Sequence, residues 1–335
     1  MSKRILAAAC AAATALALSA CSSTPSSEGN ATKDGTLTVM ASFYPLQYLA
    51  EKIGGEHVTV TSLTPAGAEP HDLELSPKTV DALASADAVV YLAGFQSAVD
   101  EAIEQQAPKT VIDVSPAAEL VEANSSANHP SEDEDEAQSG ESATEEHADH
   151  DHEGHDHEGH HHDMSADPHF WLDPVRMASA ATLVGDKLAE ADPANADTYK
   201  ANAKALNEEL SALGDDLVAK TATCQIKTFV TAHTAFGYLA DRTGLTQVGI
   251  SGLDPDSSPS PARLAEISQI AKDQGVTTIF TEALIDPKVA QTLADDLGIS
   301  TAVLDPIESQ TDSSKDYAAV MKDNINALTT ANNCQ

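Results

Sequence analysis

Four residues set apart by type and position could hold a metal ion: His71, His169, His233 and Asp305. Each falls in a loop or at the expected C-terminal end of a strand, two in each half of the chain. Three imidazoles and one carboxylate form a tetrahedral set of three nitrogens and one oxygen, which suits Zn²⁺. His169 has the most informative surroundings. The segment Asp167-Pro168-His169-Phe170-Trp171-Leu172-Asp173-Pro174 contains the chain's only Trp. Pro168 keeps the approach to His169 extended, and Asp173 followed by Pro174 reads as a helix N-cap with proline at the first helical position. One imidazole is therefore held on a stiff entry to a helix. Taken singly, each residue has an ordinary explanation: a hydrogen-bonded core histidine for His169, a solvated loop for His71, a strand-end hydrogen bonder for His233, a turn before Pro306 for Asp305. What groups them is their shared place outside the carboxyl ends of strands, where open α/β sheets bind ligands.

Nine of the thirteen histidines lie between residues 129 and 162, interleaved with Asp, Glu and Gly. Besides His129 they are His147, His150, His152, His155, His157, His160, His161 and His162, the auxiliary metal-ligand candidates. With an ordinary pKa of about 6.5, most are free to bind metal at neutral pH. Residues 122–163 show no hydrophobic period and almost no large apolar side chain, so the segment cannot bury enough surface to order itself. An ion bound there must order its own site, which makes such sites weaker than a preformed one. The plain alternative is a solvated acidic spacer.

The elements that position the four candidates follow a repeated grammar. In the first half, residues 37–41, 58–63, 88–93 and 111–114 read as strands, with helices over 45–53 and after Ser76-Pro77. The second half places strands at 227–232, 247–250, 277–281 and 301–304. Its helices lie over 260–274, after Asp286-Pro287, and over 317–328. Short apolar strands alternating with helices predict an α/β fold with parallel sheets covered on both faces. Between the halves, apolar positions recur from Pro174 to Leu217, a helical segment too long for a loop, with Asp192-Pro193 as a point of interruption.

A length of 335 residues predicts two domains. The net charge of −35 makes nucleic acid an unsuitable partner and cations a natural one. Lys3 and Arg4 precede an apolar run too short to span a bilayer, the layout of a secretory signal. It ends in Leu18-Ser19-Ala20-Cys21, which resembles the lipobox of bacterial lipoproteins and so implies cleavage before Cys21 and lipid attachment to its thiol. A Ser-rich tether follows. The folded body keeps only Cys224 and Cys334, which lack CxxC spacing. Export favours a disulfide between them over two free thiols.

Four motifs in order, Gly67-Ala68-Glu69-Pro70-His71-Asp72, residues 167–174 as written above, Thr231-Ala232-His233-Thr234-Ala235-Phe236-Gly237-Tyr238, and Leu304-Asp305-Pro306, resemble the ligand motifs of the metal receptors of ABC importers, the ZnuA/TroA-like group. The resemblance covers residues 37–330. It implies two lobes, each with a parallel four-stranded sheet flanked by helices, joined by one long rigid backbone helix, with the metal in the cleft between them. On that pattern residues 1–20 are the signal, 21–36 the tether, 37–173 the N-terminal lobe including a disordered loop at 122–163, 174–221 the linking helix and 222–335 the C-terminal lobe. By motif, His71, His169, His233 and Asp305 become metal ligands, and Glu282 in Phe280-Thr281-Glu282-Ala283 a supporting acid behind them. Zinc members often carry a His-rich acidic loop before the second ligand, as here, whereas manganese members usually have a carboxylate where this chain has His233. One departure is Pro70, which separates Glu69 from His71 where some zinc members have Glu directly before the first ligand.

The resulting expectation is a monomeric zinc receptor, lipid-anchored to the outer face of a bacterial cell membrane, that hands Zn²⁺ to an ABC permease and catalyses nothing. A manganese receptor is the alternative within the class. A zinc hydrolase is the alternative outside it, opposed by the lack of a HExxH pair or an evident general base. An adhesin or purely structural lipoprotein would have no need of the four motifs.

Overall fold

The computed structural model describes residues 36–122 and 166–335; the signal, Cys21 and the histidines from 129 to 162 lie outside the described residues. In the N-terminal lobe the chain runs β1 (Leu37–Ala41), α1 (Tyr44–Gly54), β2 (Val58–Ser62), α2 (Pro77–Leu83), β3 (Ala88–Tyr91), α3 (Ser97–Gln106), β4 (Val111–Asp113) and the single turn α4 (Ser115–Ala118). The helices α5 (Pro174–Ala191) and α6 (Ala196–Thr221) follow. The C-terminal lobe then adds β5 (Thr228–Thr231), α7 (Gly237–Thr243), β6 (Thr246–Gly249), α8 (Pro261–Asp273), β7 (Thr278–Thr281), α9 (Lys288–Leu297), β8 (Ser300–Val303) and α10 (Tyr317–Ala331).

Local chemistry sets these boundaries. Ser76 and Ser260 cap α2 and α8 by accepting the amides of Thr79 and Arg263, each with proline at the start of the helix. Asp173 caps α5 through Val175 N, and Asp316 caps α10 through Ala319 N. The strands pair in parallel in the orders β2-β1-β3-β4 and β6-β5-β7-β8, so the two lobes share one topology. Besides the single turn α4, two helices are not evident in the sequence pattern. In α3 only Val99, Ala102 and Ile103 are buried, a stripe too thin to stand out, and α7 has 7 residues, under two full periods.

The segment 174–221 is two helices rather than one. Pro193 lies in the break between α5 and α6, and the Asp192 carboxylate there accepts from Asn195 Nδ2 at 2.6 Å and Tyr199 Oη at 2.9 Å. The chain reverses, and α5 packs along α6 and against α1 and α4 in the N-terminal lobe. Among the described residues, α6 runs across both lobes, touching α1 on one side and α7 and α10 on the other. The close approach of α5 and α6 needs a glycine: a Cβ on Gly185 would lie 2.3 Å from Ala203 Cβ.

One hydrophobic core runs through both lobes, from Val39, Phe43 and Leu49 through Trp171, Leu210 and Leu217 to Phe229, Tyr238 and Ile325. Each sheet has a smaller core on its other face, around Leu83 and Val99 in one lobe and Val248 and Ile267 in the other. Polar ties reinforce the shared core: Trp171 Nε1 donates to Pro306 O at 2.8 Å and Tyr238 Oη to Asp167 O at 2.7 Å. A shared core of this extent resists a wide hinge motion. Cys224, just beyond α6, is disulfide-bonded to Cys334 at the end of the chain.

Candidate metal centre

Between the lobes the side chains of His71, His169, His233 and Glu308 converge, with one ligand atom of each within 4.8 Å of the others. His71 stands in the loop between β2 and α2, and His169 immediately precedes a 3₁₀ turn, Phe170–Leu172, that leads into α5. His233 follows β5 by two residues, and Glu308 lies in the loop after β8. His169 Nε2 is 3.3 Å from His71 Nε2 and 3.4 Å from His233 Nε2. Glu308 Oε1 lies 3.1 Å from His169 Nε2 and 3.4 Å from both other Nε2 atoms. A tetrahedron with metal–ligand bonds of about 2.0–2.1 Å has edges of about 3.3–3.4 Å. Four of the six edges thus already have the length that a four-coordinate zinc ion requires, and a fifth, between Glu308 and His169, is 3.1 Å.

The ring nitrogens facing away from the centre fix the tautomers of two imidazoles. His169 Nδ1 lies 2.8 Å from Asp167 Oδ1, and His233 Nδ1 lies 2.6 Å from Glu282 Oε2. Ionised carboxylates only accept, so each Nδ1 carries a proton and, in the neutral ring, each Nε2 directs a lone pair inward. The same carboxylates hold the backbone, since Asp167 Oδ1 accepts from His169 N and Glu282 Oε1 from His233 N. His169, His233 and Glu308 are fully enclosed, and only His71 keeps some solvent contact. Phe95 and Trp171 wall the site, with ring centroids 4.8 Å from His71 and 5.2 Å from His169 respectively.

Three carboxylates, Asp167, Glu282 and Glu308, face these imidazoles, and this surplus of negative charge governs the titration. Burial works against a charged His233, but Glu282 and then Glu308 outweigh it and carry its pKa up to about 10. His169 moves up in the same way, burial opposing and Asp167 and Glu308 prevailing. At His71 burial outweighs the support of Glu308, and the pKa moves down. Burial opposes ionisation of Glu308, but its bonds to the imidazoles hold it well below the ordinary carboxylate range. Glu69, half-buried beside Glu308, is pushed up to about 7 by desolvation and then by the Glu308 charge, although its Oε1 accepts from His71 N.

Asp305 is not among the converging groups, which corrects the sequence expectation. Its Oδ1 accepts from Ile307 N at 2.8 Å, and its backbone N–H and C=O are both taken by the Asn324 side chain. The residue builds a turn. That turn places buried Ile307 at φ +57°, a conformation that β-branched residues rarely adopt, and strain of this kind persists where function over-determines the backbone. The turn brings Glu308, three residues on, into the centre in place of Asp305. Nothing in Glu308-Ser309-Gln310-Thr311-Asp312 distinguishes that glutamate from a solvated one. Asp167, by contrast, belongs to a motif already prominent in the sequence, and its spacing of two from His169 is the signal for its supporting role.

The family model for the zinc-uptake complex component A, ZnuA, described as periplasmic, matches residues 39–331. The chain belongs to the ZnuA family. Among ZnuA relatives, the zinc-binding protein AdcA of Streptococcus pyogenes serotype M3 is 35% identical over 301 residues, covering 88% of this chain and 56% of AdcA. The chain thus spans about half the length of that relative. The high-affinity zinc uptake system protein ZnuA of Bacillus subtilis is 33% identical over 321 residues, covering 93% of both chains. The Zn(II)-bound ZnuA-like domain of Streptococcus pneumoniae AdcA superposes with a TM-score of 0.69 at 29% identity, covering 89% of this chain and 99% of that domain.

Proposed function

We propose that this protein is an extracytoplasmic zinc receptor that captures Zn²⁺ through His71, His169, His233 and Glu308 and delivers it to the permease of an ABC importer. The observation that carries the reading is the set of three nitrogens and one oxygen at tetrahedral spacing, two of its imidazoles backed by carboxylates. Asp167 and Glu282 orient His169 and His233 and raise their basicity, while the apolar wall excludes water. No catalytic step is assigned, since all four positions of the tetrahedron are filled by protein and catalytic zinc keeps one open. Lipid on Cys21 would hold the receptor at the membrane, and the mass of the membrane-extracted protein reads that attachment directly. Manganese is disfavoured by the nitrogen-rich set. Competition calorimetry on metal-stripped protein tests the choice: Zn²⁺ is expected to displace Mn²⁺, and Mn²⁺ displacing Zn²⁺ at comparable concentration would refute it.

Glu308 and Asp305 are expected to separate cleanly on mutation. Glu308→Gln should weaken zinc by more than about 100-fold, since groups that merely support a ligand are worth about 10–100-fold. Asp305→Asn, which can keep the turn, should stay within about threefold. A zinc-competition titration with a chromogenic chelator reads both.

Proton competition fixes the pH dependence. His169 and His233 titrate above their ordinary range without metal, so Zn²⁺ must displace protons at neutral pH. Apparent affinity therefore rises with pH toward about 10 and falls on acidification, by at least about tenfold per pH unit near neutrality. Titration in buffers of different ionisation enthalpy should show at least one proton released per ion.

The histidine-rich segment 129–162 is proposed as a set of weaker, additional zinc sites feeding the cleft. Its flanks meet beside the centre: Glu122 and Ala166 form an antiparallel bridge, and Asp167 N donates to Val121 O two residues before His169. Deleting 129–162 should lower the number of zinc ions bound per chain and leave one tight site. Unchanged stoichiometry, or loss of the tight site in a folded variant, would contradict this division.

A further inference from the structure

We infer that Gln96 and Gln247 are positioning residues for the metal centre, one in each lobe, each clamping a histidine-bearing loop through its side-chain amide; the inference rests on the metal-binding reading above. Their relative exposures are 2% and 1%, and an amide is buried to that degree only where its hydrogen bonds compensate. Gln247, on β6, donates from Nε2 to Thr231 Oγ1 at 2.8 Å and to His233 O at 3.0 Å. The Thr231 hydroxyl donates to that same carbonyl at 2.6 Å, so the backbone of His233 is gripped from two neighbouring strands. Gln96, just before α3, donates from Nε2 to Pro70 O at 2.9 Å and to Thr64 Oγ1 at 3.0 Å. Thr64 in turn donates to Ser42 O at 2.7 Å. Pro70 O belongs to the peptide bond that leads into His71.

The orientation of both amides follows from chemistry. A backbone carbonyl can only accept, so each NH₂ must face it, which leaves both Oε1 atoms without a partner among the described residues. An apolar side chain of similar size would fill either place without stranding an oxygen. The amides are explained by what they hold. The two lobes reach the result from different positions, after β3 in one and within β6 in the other, so it does not follow from the repeated topology. With vertices only 3.1–3.4 Å apart, a small shift of either loop would carry an Nε2 atom off the tetrahedron.

The test uses Gln96→Leu and Gln247→Leu in the full chain, with zinc-competition titration, the visible spectrum of the Co²⁺-loaded protein and thermal unfolding of the metal-free form. Each variant is expected to lose about 10–100-fold in zinc affinity and to change its Co²⁺ ligand-field bands. Lower thermal stability with wild-type affinity and an unchanged spectrum would reduce both residues to core packing and overturn the inference. If a leucine variant does not fold, Thr231→Val and Thr64→Val carry the test. They remove one hydroxyl each at constant shape and should shift the Co²⁺ bands the same way with a smaller loss of affinity; wild-type affinity and bands in both would overturn the inference. Failure of the wild-type protein to bind zinc would instead overturn the metal-binding reading itself.

Discussion

His169→Ala is expected to abolish tight zinc binding, with the largest loss of any single substitution at the centre. His169 Nε2 is within 3.4 Å of each of the other three ligand atoms, and the ring is wholly buried. Structural zinc sites contribute about 10–16 kcal/mol, so one ligand of four represents about 2.5–4 kcal/mol, or a factor of roughly 10²–10³ in affinity. The loss at this position should lie at the upper end, because Asp167 would remain buried without its imidazole partner and Glu308 would lose the nearest of its three. Chelator competition on the folded variant measures it, and affinity within tenfold of wild type would contradict the assignment.

The second large effect concerns stability. Cys224 and Cys334 are 110 residues apart, a loop for which the chain-entropy model gives about 5 kcal/mol at 25 °C. The bridge fastens the end of α6 to the end of the chain, where Asn332 Nδ2 donates to Ile226 O at 3.0 Å and Cys334 N to Thr329 O at 3.0 Å. Cys224→Ser with Cys334→Ser should therefore lower unfolding stability by about 2–5 kcal/mol. Zinc affinity should hold, because neither cysteine borders the centre. Denaturant unfolding of the double variant with unchanged midpoint and slope would refute the first part.

The alternation of strands and helices was legible because parallel strands buried on both faces read as short apolar runs and Ser-Pro and Asp-Pro pairs punctuate the helices. The inner strands β1, β3, β5 and β7 follow from that pattern, and the edge strands from their place between helices. Pro193 made the interruption after α5 visible, but whether the chain bends or reverses there depends on packing, on the fit of Gly185 against Ala203 among other contacts, and a linear pattern does not contain it. Three histidines of the centre were legible from their places beyond strand ends or at a helix entry. The fourth ligand was not. Asp305 and Glu308 are both acids just past β8, and the choice between them is made by a turn in which Asp305 spends its oxygen on Ile307 N and Ile307 takes up a strained left-handed conformation. That geometry comes from the Asn324 side chain on α10 holding the Asp305 backbone, a contact between residues 19 apart in sequence. The glutamine clamps were hidden for a related reason, since an isolated Gln has no period and no motif until the fold brings a carbonyl to it.

The most direct test of a zinc centre built from three imidazoles and Glu308 is zinc K-edge X-ray absorption on protein loaded with less than one equivalent of Zn²⁺, so that the tightest site fills first. The expected result is four nitrogen or oxygen neighbours at about 2.0–2.1 Å, the multiple-scattering signature of three imidazoles, and a changed first shell in Glu308→Gln. A six-coordinate oxygen shell, or a spectrum that Glu308→Gln leaves unaltered, would contradict it.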